Sequence, residues 1–181
     1  MKPSDFPINI NQHLQLRPFL TTDAPHLALH ANNPKIAENL NDGFPSPYSL
    51  TDARDFIRRM REDQPAKVLA IVIDGEACGA IGIFIQQNVQ RLTAELGYWI
   101  SEMYWGKGYT TAAVKVMIKY AFDTFDVIRL YARPFPFNIA SQKVLEHSGF
   151  KLEARLKNGL YKHNTIYDEL IYSILKEEVQ V

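Results

Sequence analysis

Between Gly97 and Phe122 the chain reads Gly-Tyr-Trp-Ile-Ser-Glu-Met-Tyr-Trp-Gly-Lys-Gly-Tyr-Thr-Thr-Ala-Ala-Val-Lys-Val-Met-Ile-Lys-Tyr-Ala-Phe, an apolar strand that passes through a two-glycine turn directly into an amphipathic helix. Gly106 and Gly108 permit backbone conformations and close approaches that a side chain would block. The first amides of the helix that follows have no intrahelical acceptor, so they point at whatever sits over the turn. An anion held there gains backbone hydrogen bonds and the positive end of the helix dipole. The helix is predicted over Thr110 to Phe125, with Ala113, Val116, Met117, Tyr120 and Ala121 at helical spacing, so that one face packs on a sheet.

The spacing separates the possible phosphate ligands. A dinucleotide turn requires G-x-G-x-x-G, but the third glycine position is Thr111, and the next strand, Val127 to Arg133, carries no acidic residue at the ribose distance. The pattern G-x-x-x-x-G-K-[ST] is also absent. After that strand comes Asn138-Ile-Ala-Ser141-Gln-Lys-Val-Leu-Glu146-His-Ser-Gly149-Phe150. Together with Trp105-Gly-Lys-Gly-Tyr-Thr-Thr111, this segment resembles the GNAT superfamily of acyl-CoA-dependent N-acetyltransferases. It is most similar to the RimJ/RimL branch that acetylates ribosomal-protein N-termini. Leu16-Arg17-Pro18, Asp42-Gly-Phe-Pro-Ser-Pro-Tyr48 and Tyr167-Asp-Glu-Leu-Ile-Tyr-Ser173 carry the resemblance over nearly the whole chain.

Composition fits one compact domain spanning residues 1–181, with 46% apolar and 22% charged residues. Twenty basic and twenty acidic residues cancel, which argues against nucleic-acid coating or membrane attachment driven by net charge. The lone cysteine, Cys78, excludes an internal disulfide, the N-terminus lacks an apolar signal core, and no run approaches membrane-spanning length. A cytoplasmic location is the expectation.

No repeat or linker interrupts the pattern. A strand over His13 to Phe19 is ended by Pro18, and a helix over Asp23 to Ala31 follows a Thr22 cap, with Pro25 in its first turn. Pro34 to Leu40 reads as a short helical piece, and Ser49 or Thr51 caps a helix through Arg61. Strands at Lys67 to Ile73 and Ala77 to Ile85 flank the hairpin signal Asp74-Gly75-Glu76, and Leu92 to Ile100 completes an antiparallel meander. The Val127 to Arg133 strand, a helix around Ser141, and strands near Lys151 to Leu156 and Ile166 to Leu175 follow.

The resemblance implies an α/β (α+β) GNAT-like fold, a mixed, mostly antiparallel twisted sheet of about seven strands flanked by helices and split in the middle to hold CoA. The split is expected between the strand ending at Ile100 and the strand at Leu130. The backbone of Tyr98, Trp99 and Ile100 is then expected to contact the pantetheine and thioester of acetyl-CoA. Trp105, Gly106, Lys107, Gly108, Tyr109, Thr110 and Thr111 would hold the pyrophosphate, and Asn138 would hydrogen-bond the arm from the opposite side. Lys107 is equally read as a solvated loop lysine.

Direct attack of an amine on a thioester needs a base for the amine proton and stabilisation of the departing thiolate. Glu95 is the candidate base: it is the only acidic residue in the apolar run Leu92 to Ile100, where burial would raise its pKa. The alternative is an exposed strand glutamate paired with a basic neighbour. The family commonly has a tyrosine seven residues after the asparagine, where this chain has Leu145. Ser141 is therefore carried over as the group near the sulfur, its other reading being a first-turn residue bonded to local backbone. Met103 likewise stands where the superfamily often has arginine or glutamine.

Other residues offer less. His26 and His30 lie four apart on a helix without the intervening glutamate or a third ligand, so no metal is expected. Cys78 lies among small strand residues and reads as packing. The aromatics Trp99, Tyr104, Trp105 and Tyr109 are interleaved with a single lysine, which disfavours a nucleic-acid platform, and some are expected to wall the acyl pocket. The acceptor side is expected at Asn41 to Tyr48 and around Asn158 to His163, with Asp42 as the carboxylate that attracts an ammonium. Partners are then acetyl-CoA, a primary amine from a protein N-terminus or small molecule, and a second copy if the chain dimerises. A non-catalytic module that binds or senses acyl-CoA is the alternative function.

Overall fold

The computed structural model describes residues 6–179; the segment read above for a signal core begins at residues 1–5, outside the described residues. Eight strands form one sheet: β1 (Ile8–Asn9), β2 (Leu14–Arg17), β3 (Val68–Ile73), β4 (Glu76–Ile85), β5 (Thr93–Ile100), β6 (Arg129–Ala132), β7 (Lys151–Lys162) and β8 (Thr165–Leu175), in the order β1-β2-β3-β4-β5-β6-β8-β7. Five helices flank it: α1 (Ala24–Ala31), α2 (Pro34–Glu38), α3 (Leu50–Met60), α4 (Tyr109–Thr124) and α5 (Ile139–His147).

The sheet has a core on each face. Leu69, Ile71 and Ile73 of β3 meet α4 residues such as Val114, Met117 and Tyr120, whereas Val68, Ala70 and Val72 meet Leu27 of α1 and Ile57 of α3. Burial on both faces explains why β3 is an unbroken apolar run rather than an alternating one. Asp74 and Gly75, at φ 49° and 89°, make the two-residue turn between β3 and β4. Ser49, rather than Thr51, caps α3: its Oγ accepts from Asp52 N at 3.2 Å while Asp52 accepts from Ser49 N at 2.8 Å. Thr22 does not cap α1. Asp23 takes that position, and its carboxylate accepts from Leu20 N at 2.8 Å and from both terminal nitrogens of Arg17, at 2.7 and 2.8 Å.

Two elements exceed expectation. β1 is too short to show a periodicity, and β7 runs on to Lys162 because it is an exposed edge strand with little hydrophobic alternation to read. His163 and Asn164, at φ 51° and 57°, close the β7–β8 hairpin in the doubly positive conformation of a tight two-residue turn.

β5 and β6 form the only parallel pair among the described strands, and α4 supplies their crossover. They pair over three positions, Thr93↔Arg129, Ala94↔Leu130 and Glu95↔Tyr131. β6 ends at Ala132 and the chain turns off through Pro134 and Pro136, while β5 continues along β4 to Ile100. A wedge therefore opens in the middle of the sheet.

The wedge depends on close contact between β4 and β5. A Cβ at Gly79 would lie 2.4 Å from the Trp99 carbonyl oxygen, a backbone atom with no room to retreat. Gly79→Ala should cost about 1–3 kcal/mol, the usual penalty of overpacking, read as a lowered urea midpoint with unchanged m-value.

Candidate active site

Hydrogen-bond direction alternates along β5. Gln86 N donates to Thr93 O at 2.9 Å and Ser101 N to Cys78 O at 2.8 Å, so Thr93, Glu95, Gly97, Trp99 and Ser101 turn their backbone groups to β4. Leu96, Tyr98 and Ile100 turn theirs into the wedge. The Ile100 carbonyl accepts the Trp105 indole N–H at 2.9 Å and the Glu95↔Tyr131 pairing takes the Leu96 N–H, leaving the Leu96 carbonyl and the main chain of Tyr98 as the open edge. The expectation that Tyr98, Trp99 and Ile100 all present backbone to one ligand does not survive, since consecutive strand residues cannot face the same way. Trp99 instead sends its indole to the opposite sheet face, 5.9 Å from the Phe44 ring.

The wedge leads into the glycine turn. Gly106 and Gly108 adopt φ 72° and 80°, and a Cβ built on either meets nothing within 4 Å. The turn thus combines a backbone that favours glycine with clear space above it. The first main-chain bond of α4 is Ala112 N to Gly108 O at 3.1 Å, and no side chain caps the helix, so the amides of Tyr109, Thr110 and Thr111 form an unpartnered first turn among the described residues. Lys107 places Nζ 5.6 Å from the Tyr104 ring centroid, beside this turn and exposed. Such an arrangement is suited to an anion.

Across the wedge stands α5. Asn138 is its N-cap, accepting from Ser141 N at 3.0 Å through Oδ1, which leaves its amide N–H groups available. Ser141 Oγ lies 2.9 Å from the Tyr98 hydroxyl. Burial pushes the Tyr98 phenol far above its ordinary ionisation range. Leu145 is fully buried in the core and presents nothing to the wedge.

On the other face lies Glu95. Its neighbours Ala94 and Leu96 face the α4 core, so the pleat sends Glu95 the opposite way, where its side chain is a quarter exposed. Arg133 donates to it twice, Nε to Oε1 at 3.0 Å and Nη2 to Oε2 at 2.8 Å, and reaches Glu169 through Nη1 at 3.1 Å. These two carboxylates raise the pKa of Arg133, keeping it charged. The lone buried carboxylate expected from the apolar run is therefore an arginine-paired one. Arg133 and Glu169 were not singled out in the sequence; the signal for Arg133 was the alternation of Arg129, Tyr131 and Arg133 with the buried Leu130 and Ala132.

A cavity of about 720 Å³ is lined by Asn41, Asp42, Phe44, Pro45, Lys162 and Tyr167, joining the two loops expected on the acceptor side. Asp42 is not a free ammonium receptor. Lys162, only 7% exposed, donates to its carboxylate at 2.8 Å and to Leu40 O at 2.8 Å, stapling the hairpin tip to the loop after α2. His26 and His30 both turn toward Glu76, at 3.6 and 3.8 Å, and His30 Nδ1 meets Ser101 Oγ at 3.0 Å. Burial pushes the Cys78 thiol up to about 12 and leaves it a packing residue, its Sγ 3.4 Å from Ile71 O.

An open strand edge running into an uncapped glycine turn suits an extended ligand that ends in phosphate. The chain belongs to the GNAT acetyltransferase family, whose acetyltransferase (GNAT) domain model matches residues 13–151. It is an N-acetyltransferase. It is 32% identical over 179 residues to the putative ribosomal N-acetyltransferase YdaF of Bacillus subtilis (strain 168), covering 96% of this chain and 97% of that one. Among solved structures it is similar to RimL, the ribosomal L7/L12 alpha-N-protein acetyltransferase in complex with coenzyme A, with a TM-score of 0.83 and 19% identity over 96% of this chain and 99% of that one. Mycobacterium smegmatis RimJ in complex with CoA-disulfide gives a TM-score of 0.80 and 26% identity over 92% and 83%. Among the described residues no helix is long and apolar enough to cross a membrane, and no three metal-ligating side chains cluster.

The Lys162 staple has a pH signature. Its hydrogen bond and charge hold the Asp42 carboxyl below the usual aspartate range. The stabilisation is complete above the unfolded value of about 3.9 and is lost as pH falls through the lowered folded value. Carboxyl-carbon NMR should find Asp42 titrating low in the native protein and at the ordinary value in Lys162→Met; equal titration in both would mean that the staple does not form.

Proposed function

We propose that the chain transfers an acetyl group from acetyl-CoA to a primary amine by direct attack. The observation that carries this reading is the wedge: an open β5 edge leading straight into the amides at Gly106 to Thr111. Acetyl-CoA supplies the activated thioester. The Leu96 carbonyl and the main chain of Tyr98 would pair with the extended arm, and the Asn138 amide N–H groups would donate to it from α5. Gly106, Lys107, Gly108, Tyr109, Thr110 and Thr111 would hold the pyrophosphate through backbone, dipole and one cation. Trp105 closes the edge at the Ile100 end, and Trp99 and Phe44 wall the acyl side.

Glu95 is proposed to take the amine proton, directly or through a water. Arg133 fixes its carboxylate where β5 and β6 part, and the two carboxylates around one guanidinium leave a negative excess that suits an incoming ammonium. Ser141 is proposed near the departing sulfur. The acceptor most in keeping with the names of YdaF and RimL is a ribosomal-protein N-terminus, with small amines the alternative, and a cytoplasmic setting fits both. A screen that reads CoA release with N-terminal peptides, polyamines and aminoglycosides tests this; no release with any acceptor would leave the family's coenzyme-binding module without turnover.

Two substitutions probe the parts. Gly108→Val places a branched residue at φ 80°, beside the proposed phosphate position. Calorimetry should show acetyl-CoA affinity falling by roughly tenfold or more, the loss of one or two charge-assisted hydrogen bonds, in a protein that still melts cooperatively. Glu95→Gln should lower turnover at neutral pH by about 10²-fold, the scale of general-base catalysis, with acetyl-CoA affinity kept. Raising the pH should then recover part of the rate because more acceptor arrives neutral. Wild-type turnover across the pH range would transfer the role to water held by backbone.

A further inference from the structure

Three features of Tyr98 converge on a role that its backbone position does not explain. Its place in β5 turns its main chain into the wedge and its side chain toward the α4 and α5 face. Its hydroxyl crosses the wedge to α5, 2.9 Å from Ser141 Oγ and 3.3 Å from the Ser141 carbonyl oxygen. Burial and Ser141 are the sole influences on its ionisation, so no charged group competes for the phenol, which stays neutral.

A phenol has one hydrogen to donate, and two acceptors stand within its reach: Ser141 Oγ at 2.9 Å, where either hydroxyl can be the donor, and the Ser141 carbonyl oxygen at 3.3 Å. Ser141 N is already committed to the Asn138 cap, and among the described residues Ser141 Oγ has no backbone carbonyl partner. With the phenol hydrogen on Ser141 Oγ, the serine hydrogen is left to point into the wedge. A hydroxyl that accepts a hydrogen bond becomes a stronger donor through the same oxygen. It also sits in the first turn of the nine-residue α5, where the helix dipole favours negative charge.

We propose that Tyr98 is a positioning residue that polarises and aims the Ser141 hydroxyl at the sulfur leaving the thioester. The inference rests on the reading of the wedge as the thioester site. As the carbon–nitrogen bond forms and the carbon–sulfur bond breaks, the electron pair stays on sulfur. The Ser141 O–H stabilises the thiolate by hydrogen bonding without surrendering its proton, and the proton from the amine leaves through the base. Neither hydroxyl needs to ionise, which suits a serine and a tyrosine whose ionisation burial opposes. The pair thus takes the place of the acid that Leu145 cannot provide.

The test uses CoA itself, whose thiolate absorbs in the ultraviolet. Bound to the wild-type protein, the CoA thiol should ionise at lower pH than free CoA. Tyr98→Phe, which keeps the buried ring, should move that ionisation back by about one unit, the weight of one hydrogen bond to a charged group. Ser141→Ala should do the same, and the double variant should go no further than Ser141→Ala alone. Turnover should fall about tenfold in Tyr98→Phe with CoA affinity within about twofold. An unmoved thiol ionisation in Tyr98→Phe, or shifts that add in the double variant, would reduce Tyr98 to packing. Failure of CoA to bind the wild-type protein would instead overturn the donor reading, and this inference with it.

Discussion

Alternation of hydrogen-bond direction along β5 is the constraint on which the rest of the site depends. One strand must complete the sheet with β4 and still present free backbone to a ligand, which a pleated strand can do because successive residues turn their amides and carbonyls to opposite sides. Pairing with β4 uses Thr93, Glu95, Gly97, Trp99 and Ser101, while three residues of pairing with β6 anchor the other edge. The same alternation sorts the side chains. Leu96, Tyr98 and Ile100 face α4 and α5, and Glu95 and Trp99 face the opposite side of the sheet.

The open edge is costly to leave unmade, because a buried backbone group without a partner forfeits about 1–3 kcal/mol. The structure limits the exposure. Trp105 reaches back to the Ile100 carbonyl and the β6 pairing satisfies the inner end, which confines the unpaired stretch to the Leu96 carbonyl and the main chain of Tyr98. Arg133 then braces the point of divergence by joining β5 to β8 through Glu95 and Glu169. Because that brace is partly exposed, solvent screens it, and its value lies in placing a carboxylate at the mouth of the wedge rather than in stability.

What the sequence disclosed and what it withheld divide along a physical line. The glycine turn, the Asp74-Gly75 hairpin and the Asn138 helix start were legible because each is a local backbone requirement written in consecutive residues. The partners that matter at the site were not. Arg133 with Glu95, Lys162 with Asp42 and Tyr98 with Ser141 are separated by tens of residues or more, and each meets its partner only through sheet register or hairpin placement. Glu95 shows the difference. Reading the run as uniformly apolar predicts burial, whereas one step of the pleat puts its carboxylate on the other face beside a guanidinium.

Helix starts differ at the glycine turn. α2, α3 and α5 open on Asn33, Ser49 and Asn138, each accepting a first-turn amide with its side chain. α4, at sixteen residues the longest helix, opens on Gly108 in the left-handed region with no such bond. A capping side chain is worth about 1 kcal/mol, so the chain forgoes that stability at the one helix whose amides face the wedge. The long α4 tolerates the loss because its stability comes from the buried face of Ala113, Met117, Tyr120 and Ala121 rather than from its ends. A serine or asparagine at Gly108 would occupy those amides from within the protein; the glycine leaves them open.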